Sequence, residues 1–120
     1  MSIHITPDMV EAVYNLMKTM PPFKRWGLPS SNKVEWIITR NKTYMGRCTS
    51  YNHTDEKFTI EISMVKCTNT QSLIETVAHE MIHMRQRIVR GFRTELGHGK
   101  DFQKMADQVC HKHGFNRDYF

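Results

Sequence analysis

The segment that decides the fold runs from residue 71 to residue 90 and reads QSLIETVAHEMIHMRQRIVR. Its large apolar residues recur at intervals of three and four, which is the spacing of one face of an α-helix. The opposite side of that helix carries the polar residues Thr76, His79, Glu80, His83 and Arg87. Gly91 follows, and glycine commonly ends a helix. We therefore expect a long amphipathic helix over residues 71–90, with its apolar face on the core.

A first helix is predicted near the N-terminus. Thr6 is placed to cap it, and Pro7 occupies its first position. The apolar residues that follow at helical spacing are Met9, Val10, Val13, Leu16, Met17 and Met20. The pair Pro21-Pro22 ends the helix, and residues 22–33 have the composition of a loop. Three large apolar residues of this loop are expected to pack back onto the core, namely Phe23, Trp26 and Leu28.

From residue 34 the apolar period changes to two, which indicates β-strands. Residues 34–39 and 44–51 are separated by the turn residues Asn41-Lys42, and we expect them to form a hairpin. Residues 58–64 alternate cleanly between apolar and polar side chains. They are expected to add a third antiparallel strand with one face on the core.

A last helix is predicted from Phe102 to His113, with Gly114 as its C-terminal stop. The predicted order is therefore helix, three strands, helix, helix. This order is typical of an α+β fold in which helices cover one side of an antiparallel sheet.

Length and composition limit the class of protein. A chain of 120 residues has the size of one compact domain, so residues 1–120 are expected to fold as a single, monomeric unit. No run of about 18 apolar residues and no secretory leader occur, which predicts a cytoplasmic protein without membrane contact. Three cysteines without a Cys-x-x-Cys pair are expected to be reduced thiols. The net charge of +5 favours polyanionic partners.

The sequence His79-Glu80-Met81-Ile82-His83 carries the chemistry. Histidines four residues apart project from the same face of a helix and can bind one zinc ion. Catalytic zinc takes three protein ligands and keeps an open position for a water, whose pKa it lowers towards neutrality. Glu80 follows His79 in the helix, so its side chain lies beside the two histidines. From there its carboxylate can act as the general base without binding the metal. The motif predicts one zinc ion per chain and needs a third ligand from elsewhere.

His98 is the strongest candidate for that third ligand. It is flanked by Gly97 and Gly99 and precedes the last helix. Flanking glycines let the backbone turn close to a metal, and a histidine at a helix entrance is better anchored than a side chain in mid-loop. Glu95 is the alternative, because a carboxylate replaces the third histidine in some zinc sites.

These residues resemble a known family. The HEMIH motif of residues 79–83, followed after fourteen residues by HGKDF at 98–102, is similar to the SprT-like zinc metalloproteases. That family includes the Spartan proteases, which act on DNA-protein crosslinks. Residues 44–48 (YMGRC) and 58–63 (FTIEIS) look like the family's glycine-containing strand and the strand before its metal helix. The resemblance covers most of residues 7–113.

The resemblance implies a zincin-like fold, with His79, His83 and His98 as zinc ligands and Glu80 as the catalytic base. Many SprT relatives carry a C-terminal zinc ribbon with paired cysteines, and this chain has no such pair. We therefore expect residues 1–120 to be a minimal catalytic domain. Spartan-type proteins also recruit DNA through segments that have no counterpart here.

Two parts of the mechanism are left open by the sequence. The side chain that stabilises negative charge on the substrate could be Tyr44, Tyr51, His111 or His113. His113 lies on the apolar stripe of the last helix, where a core role is expected, and His111 is expected to be exposed. A strand at the sheet edge beside the metal helix could receive the substrate as an added strand. Spacing does not identify that strand.

Cations cluster in and after the metal helix, namely Arg85, Arg87, Arg90, Arg93, Lys100 and Lys104. They could bind nucleic acid, with Trp26, Trp36 and Phe92 as stacking groups, or they could form a solvated helix end. The sequence predicts a zinc endopeptidase that cleaves proteins, including DNA-associated ones in the nucleoid or nucleus. The alternative is a non-catalytic, zinc-containing basic domain that binds nucleic acid or a protein partner.

Overall fold

A computed structural model describes residues 4–50, 57–91 and 97–120. In these ranges the helices are α1 at Pro7–Lys18, α2 at Thr70–Arg90 and α3 at Lys100–His113. The strands are β1 at Val34–Thr39, β2 at Gly46–Ser50 and β3 at Phe58–Ser63. Short 3-10 helices cover Phe23–Arg25, Ser31–Lys33 and Arg117–Tyr119. The fold is α+β, and none of the helices described is long and apolar enough to cross a membrane.

The N-terminal region agrees with the sequence prediction. The Thr6 hydroxyl accepts a hydrogen bond from the Met9 N–H at 3.2 Å and caps α1. The helix ends at Lys18, two residues before the last predicted apolar position. The three apolar residues of the following loop are buried against the core, as expected: Phe23, Trp26 and Leu28. This loop therefore contributes to the core although it contains little regular structure.

The sheet is mixed, so the prediction of an antiparallel sheet is wrong. The strand order is β1-β3-β2, with β3 parallel to β1 and antiparallel to β2. Within the described residues β1 and β2 do not pair with each other, which also rules out the predicted hairpin. The reason is that an alternating pattern fixes which side chains share a face and is the same for either pairing direction. It does not identify the neighbouring strand.

Strand β3 is buried because it lies between the other two strands. Ile60 and Ile62 face the helices, and the residues of its other face, Thr59 and Ser63, are also buried. The end of β3 lies between its two neighbours, because Met64 N donates to Thr39 O and Ser63 N donates to Met45 O. The strand is therefore buried on both faces at these positions, whereas the alternation predicted only one face on the core.

The helices pack on one face of the sheet. In register, Val34 and Trp36 of β1 lie beside Phe58 and Ile60 of β3, and Cys48 of β2 lies on the other side of Ile60. These side chains share one core with the apolar face of α2, formed by Leu73, Val77, Met81 and Met84. Cys48, Cys67 and Cys110 are free thiols, as predicted.

Helix α2 is buried on more sides than its amphipathic pattern predicts. Thr76, Glu80 and Gln86 belong to the expected polar side or lie next to it, yet each is less than 7% exposed. Strand β2 crosses this side at Gly46. A Cβ atom at Gly46 would lie 2.7 Å from Thr76 Cγ2 and 3.2 Å from Glu80 Oε2, so only glycine lets the strand come this close. The face expected to be solvated is thus partly covered by β2.

The N-terminus of α2 depends on a reciprocal cap. Asn69 Oδ1 accepts the Ser72 N–H at 2.8 Å, and Ser72 Oγ accepts the Asn69 N–H at 3.3 Å. We expect Asn69→Ala to lower the free energy of unfolding by about 1 kcal/mol, because it removes the acceptor for a helix N–H group. Asn69→Asp should retain the stability, since aspartate caps equally well. Urea denaturation measures both, with exposed Thr68→Ala as the control; an equal loss in that control would contradict the capping role.

Candidate metal centre

Three histidine side chains converge beside strand β2. His98 Nε2 lies 3.1 Å from His79 Nε2 and 3.2 Å from His83 Nε2. Nitrogen atoms bound to one tetrahedral zinc ion at its usual distance lie about 3.3 Å apart. The ring nitrogens of the three histidines therefore fit a single zinc ion, both in ligand chemistry and in spacing. The structure thus brings the three predicted ligands together, whereas the alternative ligand Glu95 lies outside the described residues.

The three imidazoles share a common support. Phe102, fully buried in the first turn of α3, packs against all of them. Its ring centroid lies 4.9 Å from that of His79, 4.8 Å from that of His83 and 4.5 Å from that of His98. This aromatic surface restricts sideways movement of the histidine rings. The phenylalanine of the HGKDF segment is therefore placed to align histidines that come from two separate segments.

The surroundings keep two of the histidines neutral. Burial is the main cause that lowers the pKa of His79 to about 3 and that of His83 to about 4, and the neighbouring imidazoles lower both further. A metal binds the neutral imidazole, because the protonated ring has no free lone pair. Both histidines are therefore in the metal-binding form at neutral pH.

Glu80 lies in the wall of the same cleft. Its side chain is buried, and burial raises its pKa to about 8. A cation held by the adjacent histidines would favour the carboxylate, because an opposite charge stabilises the ionised form. The cleft has a volume of about 250 Å³, and its β2 wall consists of Gly46, Arg47 and Cys48. The predicted base and the three histidines thus border one open space.

A buried glutamine that the sequence analysis missed connects the parts of the centre. Gln86 is 1% exposed, and its Oε1 lies 2.6 Å from His83 Nδ1. Its Nε2 donates to Gly97 O at 3.0 Å and to Asp101 Oδ1 at 3.2 Å. The signal in the sequence was a polar residue three positions after His83, on the same side of the helix.

The last described residues also reach the centre. The backbone N–H of Asn116 donates to the buried carboxylate of Glu75 at 2.9 Å, which ties this segment to α2. The His79 ring packs against Phe120, with ring centroids 5.7 Å apart. Tyr119 borders a second cavity that adjoins the histidines. Sequence patterns gave no sign of this contact, because it joins α2 to residues about 40 positions away.

The structure describes three of the four candidates for stabilising negative charge on the substrate. Tyr44 borders the cavity that adjoins the histidines, and its hydroxyl lies 3.4 Å from Glu61 Oε2. His113 instead stacks on the buried Phe23, with its Nε2 2.6 Å from Pro21 O. Its side chain is half-buried, so it packs at the border of the core and not inside it as predicted. His111 is exposed on α3, as expected. Tyr51 lies outside the described residues.

Several groups considered for nucleic-acid binding have internal partners. Arg85 donates to Trp26 O at 2.8 Å, and Arg90 pairs with Asp101 at 3.5 Å. The Trp26 side chain is buried, and the Trp36 indole N–H donates to Ser31 O. Lys100 and Lys104 are exposed on α3, whereas Phe92 and Arg93 lie outside the described residues. Nucleic-acid binding stays a prediction.

Three histidines that can hold one metal ion, with a glutamate between the first two, are the arrangement of a metalloprotease-type domain. The chain belongs to the SprT-like family, whose family model matches residues 13–119 and therefore nearly its whole length. A comparison with curated proteins gives no match. The zincin-like relationship stays a prediction.

The role of His98 can be tested by metal analysis. We expect one zinc ion per chain in the wild type after purification without added metal, and a large loss in His98→Ala, because two imidazoles hold zinc much less tightly than three. His111→Ala removes an exposed histidine outside the centre and should leave the zinc content unchanged. Elemental analysis with protein quantification gives the ratio. Equal zinc content in His98→Ala and the wild type would show that His98 is not a ligand.

Proposed function

We propose that this protein is a zinc-dependent endopeptidase. The observation that carries the proposal is the convergence of three histidine Nε2 atoms beside the buried carboxyl group of Glu80, in a cleft that is open to solvent. Family membership supports the same function. In this proposal His79, His83 and His98 hold the metal and Glu80 is the general base.

A bound zinc ion supplies a water that is easily deprotonated and a Lewis acid for the substrate carbonyl. Glu80 accepts the proton of the attacking water and transfers it to the leaving amine. Its side chain is buried and lines the cleft together with the three histidines. Tyr44 and Tyr119 border the second cavity, which shares His79, Glu80 and His98 with the cleft. They are the candidates for stabilising the negative charge that develops on the carbonyl oxygen.

The substrate is proposed to bind along β2. This strand is at the edge of the described sheet, because β3 occupies its other side. Residues 46–48 border the cleft that contains the histidines and Glu80. A peptide that extends the sheet at this edge would pass over the metal centre and be recognised through its main chain. This mode predicts cleavage with weak sequence preference.

Replacement of the base is the direct test of catalysis. We expect Glu80→Gln to lower kcat on an unfolded protein substrate by on the order of 10²- to 10⁴-fold, because the amide cannot accept the proton. Zinc content should not change. Glu75→Gln is the matched control: it alters the other buried glutamate of α2, which bonds to Asn116, and should retain activity. Full activity in Glu80→Gln would contradict the proposed role.

Main-chain recognition can be tested on the substrate side. In a peptide that the enzyme cleaves, N-methylation of single amides should lower kcat/KM at alternate positions, because every second N–H of an added strand faces the edge it pairs with. A side-chain alanine scan of the same peptide is the control and should have smaller effects. Equal sensitivity at all amide positions would argue against binding as an added strand.

A non-catalytic binding protein is the competing proposal. The net charge of +5 and the exposed Lys100 and Lys104 support binding to nucleic acid. The Glu80→Gln protein separates the two proposals when it is assayed for both properties. Salt-sensitive DNA binding by wild type and variant alike, without cleavage of any protein by the wild type, would favour the binding protein.

A further inference from the structure

We propose that Gln86 is a positioning residue of the metal centre: it fixes the tautomer of His83 and ties the segment of His98 to α2. The inference rests on the proposed metal site, although it does not require that the protein be a protease. It is carried by three hydrogen bonds of one buried side chain.

The orientation of the Gln86 amide follows from its partners. The carbonyl oxygen of Gly97 can only accept a hydrogen bond, so the Gln86 atom 3.0 Å away must be the NH₂ group. The same NH₂ group lies 3.2 Å from Asp101 Oδ1, and the pKa of Asp101 is lowered, in part by this bond. Both contacts therefore require a donor at this end of the amide.

The oxygen of the Gln86 amide determines the tautomer of His83. Gln86 Oε1 can only accept, so His83 Nδ1 must carry the proton across the 2.6 Å contact. In the neutral ring, Nε2 then has the free lone pair. This is the nitrogen that lies 3.2 Å from His98 Nε2. Gln86 thus selects the tautomer that presents a ligand atom to the metal.

The same side chain also places the third histidine. Gly97 immediately precedes His98, and Asp101 lies in the first turn of α3, where its Oδ1 also accepts the Phe102 N–H at 2.8 Å. Gln86 therefore connects His83 to residues that come before and after His98 in the chain. Because Gln86 is 1% exposed, its own amide has no water to replace these partners, and losing them would leave a buried polar group unsatisfied.

Only an amide satisfies all of these partners. A glutamate at position 86 would still accept from His83, but it could not donate to Gly97 O and would repel the carboxylate of Asp101. A leucine would fill a similar volume and make none of the hydrogen bonds. Gln86→Glu and Gln86→Leu therefore remove different parts of the proposed role.

The experiment measures zinc affinity by competition with a chelator and the visible spectrum of the cobalt-substituted protein. We expect Gln86→Leu to weaken zinc binding by about 10- to 100-fold, the usual effect of losing a partner of a metal-bound histidine. Its cobalt spectrum should also change, because the ligands are no longer held in one geometry. Gln86→Glu should weaken zinc binding as well, since it loses the bond to Gly97.

A structural control separates positioning from general destabilisation. Val77→Ala removes buried apolar volume from the opposite face of α2 and should lower the melting temperature of the metal-free protein without changing zinc affinity or the cobalt spectrum. Nitrogen-15 NMR of the metal-free protein should show the Nδ1–H tautomer of His83 in the wild type and a mixture in Gln86→Leu.

Two results would overturn the inference. One is zinc affinity within twofold of the wild type in both Gln86 variants. The other is a loss of affinity that Val77→Ala reproduces at the same change in melting temperature. Either result, with zinc still bound by the wild type and lost in His98→Ala, would leave the proposed metal site intact. A wild-type protein that binds neither zinc nor cobalt would instead overturn the proposed function itself.

Discussion

The close crossing of β2 over α2 at Gly46 is the contact on which the site depends. A Cβ atom at this position would clash with Thr76 and crowd the carboxylate of Glu80, so the close approach depends on residue 46 being glycine. The crossing places an edge strand against the helix that carries two of the histidines. It also buries Glu80, and this burial raises the pKa of the carboxyl group. One steric constraint therefore brings together the proposed base and the proposed substrate-binding edge.

The candidate metal centre is also organised by contacts from α2, α3 and the C-terminal residues. Phe102 supports all three imidazoles through ring contacts. Gln86 also hydrogen-bonds to His83, and the Phe120 ring packs against His79. Gln103 Nε2 donates to His98 O at 2.9 Å and holds the third segment. Rigid placement matters here because a metal site binds tightly only when its ligands need little rearrangement. Each histidine thus has at least one contact besides the other two imidazoles and Phe102.

Some of the basic side chains have partners within the protein, and others are exposed on its surface. Arg90 and Arg117 pair with Asp101 and Asp107, and Arg85 closes a contact to the loop that contains Trp26. These arginines make contacts between α2 and α3, between α3 and the C-terminal residues, and between α2 and the loop of Trp26. Cations such as Lys100 and Lys104 remain exposed and account for part of the positive surface. A cluster of arginines in a sequence therefore does not by itself define a binding surface, because some of its members complete the fold.

The sequence by itself determined the features that depend on neighbours along the chain. The spacing of apolar residues gave the α2 helix, and the motif of residues 79–83 together with His98 gave the proposed ligand set. The tertiary structure alone decided that β1 and β3 are parallel and that β2 is the edge beside the metal centre. It also decided that Gln86 and the segment of Tyr119 complete the site. The physical reason is that periodicity records which face a side chain occupies, whereas strand pairing and long-range hydrogen bonds depend on residues that approach only when the chain folds.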